Sequence, residues 1–126
     1  MSMKNLPIAT FAVAIMVVTG CNNGPQVAAK VDPQAARAAL TSTLDAWKAG
    51  KAIESLASAS PPIVAQDFDW MQGKKLSKYE ALGEGTPQDA NLRVEVNLTL
   101  EGDANPKKVA YIIGTSPKLT VFRAFE

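Results

Sequence analysis

Leu92-Arg93-Val94-Glu95-Val96-Asn97-Leu98-Thr99-Leu100-Glu101 alternates apolar and polar side chains through ten residues without a break. Successive side chains of a strand point to opposite faces, so all five apolar residues share one face and the polar ones share the other. One dry face and one wet face mark a long antiparallel strand. Gly102 to Pro106 makes a turn after it, and Lys107 to Gly114 returns through Val109, Tyr111 and Ile113. Thr115, Ser116 and Pro117 turn again into Leu119 to Phe125. On the other side Leu76 to Leu82 reads as a strand, closed by Gly83, Gly85 and Pro87. The pattern predicts a curved, antiparallel sheet of about four strands.

Helices precede the strands. Asp32 is a good N-cap and Pro33 sits at the first helical position, where its missing N–H removes no helical bond. Ala36, Leu40, Leu44 and Trp47 then recur at helical spacing, with Thr43 beside them, and Gly50 marks the end. A second, short helix is expected over 52–57, packing through Ile53 and Leu56 until Pro61-Pro62 stops it. Residues 63–75 have no period and read as a loop carrying large side chains. Helices followed by hairpin-connected strands give an α+β domain over residues 32–126, with the helices on one face of the sheet.

The first residues read as an address. Lys4 is followed by a mostly apolar run from Leu6 to Val18, too short for a membrane span and without a basic stop-transfer cluster. Val18-Thr19-Gly20-Cys21 resembles a bacterial lipobox. The resemblance implies a signal peptide over residues 1–20, cleavage before Cys21 and lipidation of its sulfur. A diacylglyceryl cysteine supplies the two chains that stable anchoring takes. Asn22 in place of an aspartate favours the outer membrane over the inner one, with the domain facing the periplasm. Residues 21–31 contain glycine, proline, glutamine and alanine without an apolar period, and read as a flexible tether.

Composition excludes more than it proposes. Lys4 is the only charge in the leader, so the remaining chain carries 12 basic and 12 acidic side chains. That balance gives no electrostatic basis for binding nucleic acid. The chain has no histidine, and its one cysteine is Cys21. Ser–His–Asp and Cys–His catalysis are therefore ruled out, along with zinc sites built on those ligands. Neither a metal nor a cofactor is expected, and the domain reads as non-enzymatic.

A few residues carry possible binding chemistry. Asp67 and Asp69 could share a proton or a hard cation, but no glycine-centred calcium loop surrounds them, and they read as solvated turn charges. Trp47 lies on the helix stripe and belongs to the core. Trp70, on a loop after two acids, is a candidate pocket wall. Tyr79 and Tyr111 place hydroxyls where a pocket rim would lie. Arg123 is expected to pair with Glu95 or Glu80 across the sheet, or to bind an anionic ligand. Lys74-Lys75, Lys78 and Lys107-Lys108 read as solubilising edges.

The segment from Ala39 through Phe125 resembles a family of small exported or lipoprotein-like proteins of planctomycete bacteria. The likeness is carried by Ala46-Trp47-Lys48-Ala49-Gly50-Lys51, Ser60-Pro61-Pro62-Ile63, Asp69-Trp70 with Gly73 and Leu76, Tyr79-Glu80, Gly114-Thr115-Ser116-Pro117 and Leu119-Thr120-Val121 with Arg123. It brings no catalytic residues with it. The order of elements is also similar to NTF2-like and cystatin-like folds, which implies a bent sheet around a long helix with a pocket at the open end. Two functions are therefore expected: a membrane-anchored domain that binds an envelope partner, or a small-ligand module with Trp70, Tyr79, Tyr111 and Arg123 near its mouth. An enzyme using Asp, Glu and Tyr in such a pocket ranks third.

Overall fold

A computed structural model describes residues 29–126, so the leader, Cys21 and the tether up to residue 28 lie outside the described residues. Among the described residues no helix is long and apolar enough to cross a membrane.

Helix α1 (Pro33–Lys48) forms as its signals predict: the Asp32 carboxylate accepts from the Ala35 N–H, and Pro33 opens the first turn. Its buried stripe is Ala36, Ala39, Leu40, Thr43, Leu44 and Trp47. Gly50, at φ +82°, donates to the Trp47 carbonyl while Lys51 donates to that of Ala46. This pair of bonds satisfies carbonyls that the helix leaves open, and only glycine takes that φ without strain. A 3₁₀ helix (Ile53–Ser58) follows and buries Leu56.

The strands are β1 (Ile63–Gln66), β2 (Leu76–Gln88), β3 (Asn91–Leu100), β4 (Lys107–Gly114) and β5 (Leu119–Arg123), with a one-turn helix α2 (Phe68–Met71) between the first two. They form one sheet in the order β1-β5-β4-β3-β2. The architecture is α+β, but the sheet has five strands and is mixed, because β1 runs parallel to β5 while the other pairs are antiparallel. Residues 63–75, expected as a loop, supply both β1 and α2. Four residues bounded by Pro62 and Asp67 are too few to display a period.

β2 also outruns its expected end. Gly83 and Gly85 do not close it; they carry a register shift between Leu82 and Thr86, after which pairing resumes to Gln88. A Cβ on Gly85 would lie 2.9 Å from both Leu92 Cγ and Val94 Cγ2. The bulge exists so that β2 can press onto β3 without a side chain there.

Register fixes what faces α1. Val94 pairs with Tyr111, and Tyr111 with Arg123, so these three share the face that carries Leu92, Val96 and Leu98. That face and the α1 stripe form one core. Strand directions also sort the molecule into two ends. The start of α1 lies with the β2–β3 and β4–β5 turns, where Val31 N–H donates to Asp89 and Asp32 N–H to Thr115 Oγ1. Val31, the last residue of the expected tether, is buried and belongs to the core. The end of α1 lies with α2, the start of β4 and the finish of β5.

Trp47 and Trp70 join α1 to α2 at this second end. Their rings stack with centroids 5.5 Å apart and planes within 7°. Trp47 Nε1 donates to the Lys74 carbonyl at 2.8 Å, and Trp70 Nε1 to the Lys51 carbonyl at 3.1 Å. α2 ends as α1 does: Gly73 donates to the Trp70 carbonyl and Lys74 to that of Asp69. Each helix thus finishes in Trp-x-x-Gly-Lys, and each indole caps the carbonyl that follows the other's glycine.

Candidate functional site

Asp67, expected to be a solvated turn charge, is buried, as is Asp69. Asp67 follows β1 directly and caps α2: its Oδ1 accepts from the backbone N–H of Asp69 at 2.9 Å and of Trp70 at 3.3 Å. Arg123 Nη1 donates to both Asp67 oxygens, at 3.1 and 3.3 Å, and Nη2 donates to Asp69 Oδ2 at 3.0 Å. Tyr111 donates its hydroxyl to Asp67 Oδ2. Lys107 Nζ lies 2.9 Å from Asp69 Oδ2, and Lys74 Nζ lies 3.4 Å from Asp69 Oδ1. Two carboxylates, a guanidinium and a phenol therefore close on one another below the surface, with two lysines at the rim.

Arg123 does not pair with Glu95 or Glu80. Its register with Tyr111 turns it to the α1 face, whereas Glu95 lies on the outer face beside Lys108. Burying a charge is expensive unless it is paired and hydrogen-bonded, and the cluster meets that condition throughout. Burial alone would raise the Asp69 carboxyl, but the bonds and charges of Lys107 and Arg123 outweigh it and hold the group below its usual value. Burial, reinforced by the Asp67 carboxylate, pushes the Tyr111 phenol well above its usual value. Burial would also lower Arg123, yet Asp67, Tyr111 and Asp69 together raise it. Asp69, Tyr111 and Arg123 are thereby held in their ordinary charge states, and the cluster works as an ion-pair clamp that ties the end of β1 to β4 and β5.

The surface over the clamp is apolar. Arg123 lies 4.3 Å from the centroid of the Phe68 ring, which stacks on Phe125 at 5.3 Å. Gln66, Phe68, Met71 and Phe125 surround an open cleft of about 340 Å³ whose floor includes Asp67 and Arg123. Met71 is 64% exposed and Phe125 86%. Arg93 holds Glu126 through both guanidinium nitrogens, which fixes the residue next to Phe125. At the other end of β1, Ala35, Pro61, Pro62, Ile63, Val64 and Leu119 line a second cleft of about 550 Å³.

Of the four residues proposed from sequence to bind a ligand, three come together around Asp67: Trp70 by its N–H, Tyr111 by its hydroxyl and Arg123 by its guanidinium. Tyr79 stands apart on β2 and donates to Asp45 of α1 at 2.6 Å. Burial and Asp45 push its phenol up to about 12. Trp70 belongs to the core and, with Trp47 and Lys74, also lines a small separate cleft of about 160 Å³. Phe68, Met71 and Phe125 were not singled out from sequence. The signal for α2 was nonetheless present, with a capping Asp67 and a terminating Gly73 around one apolar turn. Among the described residues no group of three or more acidic, cysteine or histidine side chains is placed to hold a metal ion. Comparison with protein-family models, curated proteins and solved structures yields no match.

Proposed function

We propose that this is a lipid-anchored protein of the bacterial envelope, tethered through Cys21, whose non-enzymatic α+β domain binds a partner protein on the β1 side of its sheet. The observation that carries the binding reading is the placement of the exposed large hydrophobics among the described residues. Val64, Met71 and Phe125 all lie along β1 or the cleft at its end. Apolar side chains gathered on one flank, rather than scattered singly, mark an interaction surface. The clamp beneath them offers no free base or nucleophile, since its polar groups serve one another. The anchor reading rests on Val18-Thr19-Gly20-Cys21.

Labelled palmitate and a photo-reactive phenylalanine at position 125, used together in cells, test both halves. Label that disappears in Cys21→Ser and a discrete cross-linked protein are expected. Absence of label defeats the anchor, and a labelled chain that cross-links to no protein defeats the partner. A second reading, a small-ligand module of the NTF2-like kind, draws on the first cleft, whose volume falls in the range of ligand sites. Native mass spectrometry of the purified chain decides it: an excess mass lost on denaturation is required.

A further inference from the structure

We infer that the end of the domain where α1 begins seats on the bilayer that holds the anchor, and that the cleft beside Val64 and Leu119 takes up phospholipid acyl chains there. This rests on the anchor half of the reading above and divides the β1 side: Val64 meets lipid, while Met71 and Phe125 are left to the partner protein. Where the chain enters the fold decides which end lies nearer the membrane. Val31 is buried and its N–H donates to the Asp89 carbonyl, while Asp32 N–H donates to Thr115 Oγ1. Cys21 stands ten positions before Val31. Ten residues span at most about 35 Å, whatever path they take. The other end of the 16-residue α1 is about 24 Å further on. Presenting that end to lipid would use most of the available span, whereas the first end reaches the bilayer at once.

The side chains of this end suit lipid. The cleft of about 550 Å³ is walled by Pro61, Pro62, Val64, Pro117 and Leu119, and Thr115, which holds Asp32, belongs to the same wall. A second cleft of about 180 Å³ shares Ala35, Pro61, Ile63 and Leu119 with it and runs on to Ala38 and Ala39 of α1. Among the described residues that line the two, Lys118 is the only charged one, and it is exposed. An apolar trough with a lysine beside it matches acyl chains beneath a phosphate, the group every phospholipid carries. Asp32 and Asp89 also stand at this end, so attraction to anionic lipid is not the cause; apolar burial is. Lipid is favoured over a protein occupant because the anchor makes it the neighbour of highest effective concentration.

Cys21 is the one cysteine of the chain, so a single introduced thiol can be labelled without interference once lipid occupies it. Val64→Cys, Lys118→Cys, Met71→Cys and Phe125→Cys, each carrying an environment-sensitive fluorophore, are placed in the full-length lipidated chain. The chains are reconstituted into phosphatidylcholine vesicles with or without a nitroxide on the acyl chain. An interfacial face lies about 5–10 Å into the headgroup boundary, so labels at 64 and 118 should lose about half their emission to the nitroxide, and those at 71 and 125 almost none. Adding phosphatidylglycerol should change little. Val64→Glu should abolish the quenching at 118 while flotation with vesicles and thermal unfolding stay as they were. Equal, weak quenching at all four positions overturns the inference and leaves the anchor intact, as does stronger quenching at 71 and 125. Quenching that survives Val64→Glu means proximity without insertion and overturns the role of the cleft. A photo-cross-linker at position 64 that captures a protein, a second copy included, in place of lipid also overturns it. Failure of the parent chain to float with vesicles is separate, because it removes the anchor itself and the inference with it.

Discussion

β2 and β1 close the same sheet on opposite sides, and they are protected in different ways. β2 runs for 13 residues, carries Lys78, Glu80 and Glu84, ends beside Pro87, and shifts register twice. Charge, bulges and proline are the devices that keep an exposed strand from pairing with another chain. β1 has no charge, bulge or proline within its four residues; its shortness and the 3₁₀ helix packed against it protect it instead. It is held in place from behind, by Asp67 at its end and the Arg123–Tyr111 pair that grips it. One edge is guarded by its own side chains; the other is short, packed beside the 3₁₀ helix and made rigid by a buried clamp.

The largest loss of stability is expected at the clamp. Arg123→Met leaves Asp67 and Asp69 buried without their main partner, and breaking such a pair costs about 3–5 kcal/mol. Urea unfolding monitored by circular dichroism measures that loss, and protection against hydrogen exchange should fall first in β1 and α2. On the opposite edge Gly85→Ala combines a positive φ with a clash against Leu92 and Val94, so a loss of about 2–3 kcal/mol is expected in the same assay.

Tyr111→Phe removes one donor from Asp67 while leaving Arg123, and should cost about 1–2 kcal/mol. Acid sharpens the distinction further. The Asp69 carboxyl titrates below its ordinary 3.8 in the folded chain, so its contribution is full above that value and is lost as pH falls through the folded one. Asp69→Asn should therefore be less stable than the parent near neutrality, with the deficit shrinking toward pH 3 in paired denaturation curves. The smallest effect is expected at the β1 edge. Val64→Thr should change stability by less than about 0.5 kcal/mol, because the residue is 42% exposed.

How much of this was legible in the chain follows from the range of each interaction. β3 was read in full because its alternation is local, and α1 because Asp32, Pro33 and Gly50 act on their neighbours. β1 was missed because four residues between a proline pair and an aspartate carry no period. The clamp was missed for a different reason: Asp67 and Arg123 are 56 positions apart, and only strand register turns the arginine to the helix face. Two acids around a phenylalanine look solvated until the partner arrives from another strand. The bulge in β2 misled in the opposite sense, since glycines that end a strand and glycines that let it press closer look alike in one dimension.

The stacked indoles at the joint of α1 and α2 are the only two tryptophans in the chain. Indole emission and the indole bands of near-ultraviolet ellipticity therefore come from a single place, and no other indole dilutes the signal. Coupling between two nearly parallel chromophores makes that signal sensitive to small changes in their spacing. The protein carries its own optical gauge of one joint, set on α2, which follows β1 directly in the chain. A partner that settles on the β1 side and leaves the joint alone should be spectroscopically silent, whereas one that pulls on α2 should register without any added label.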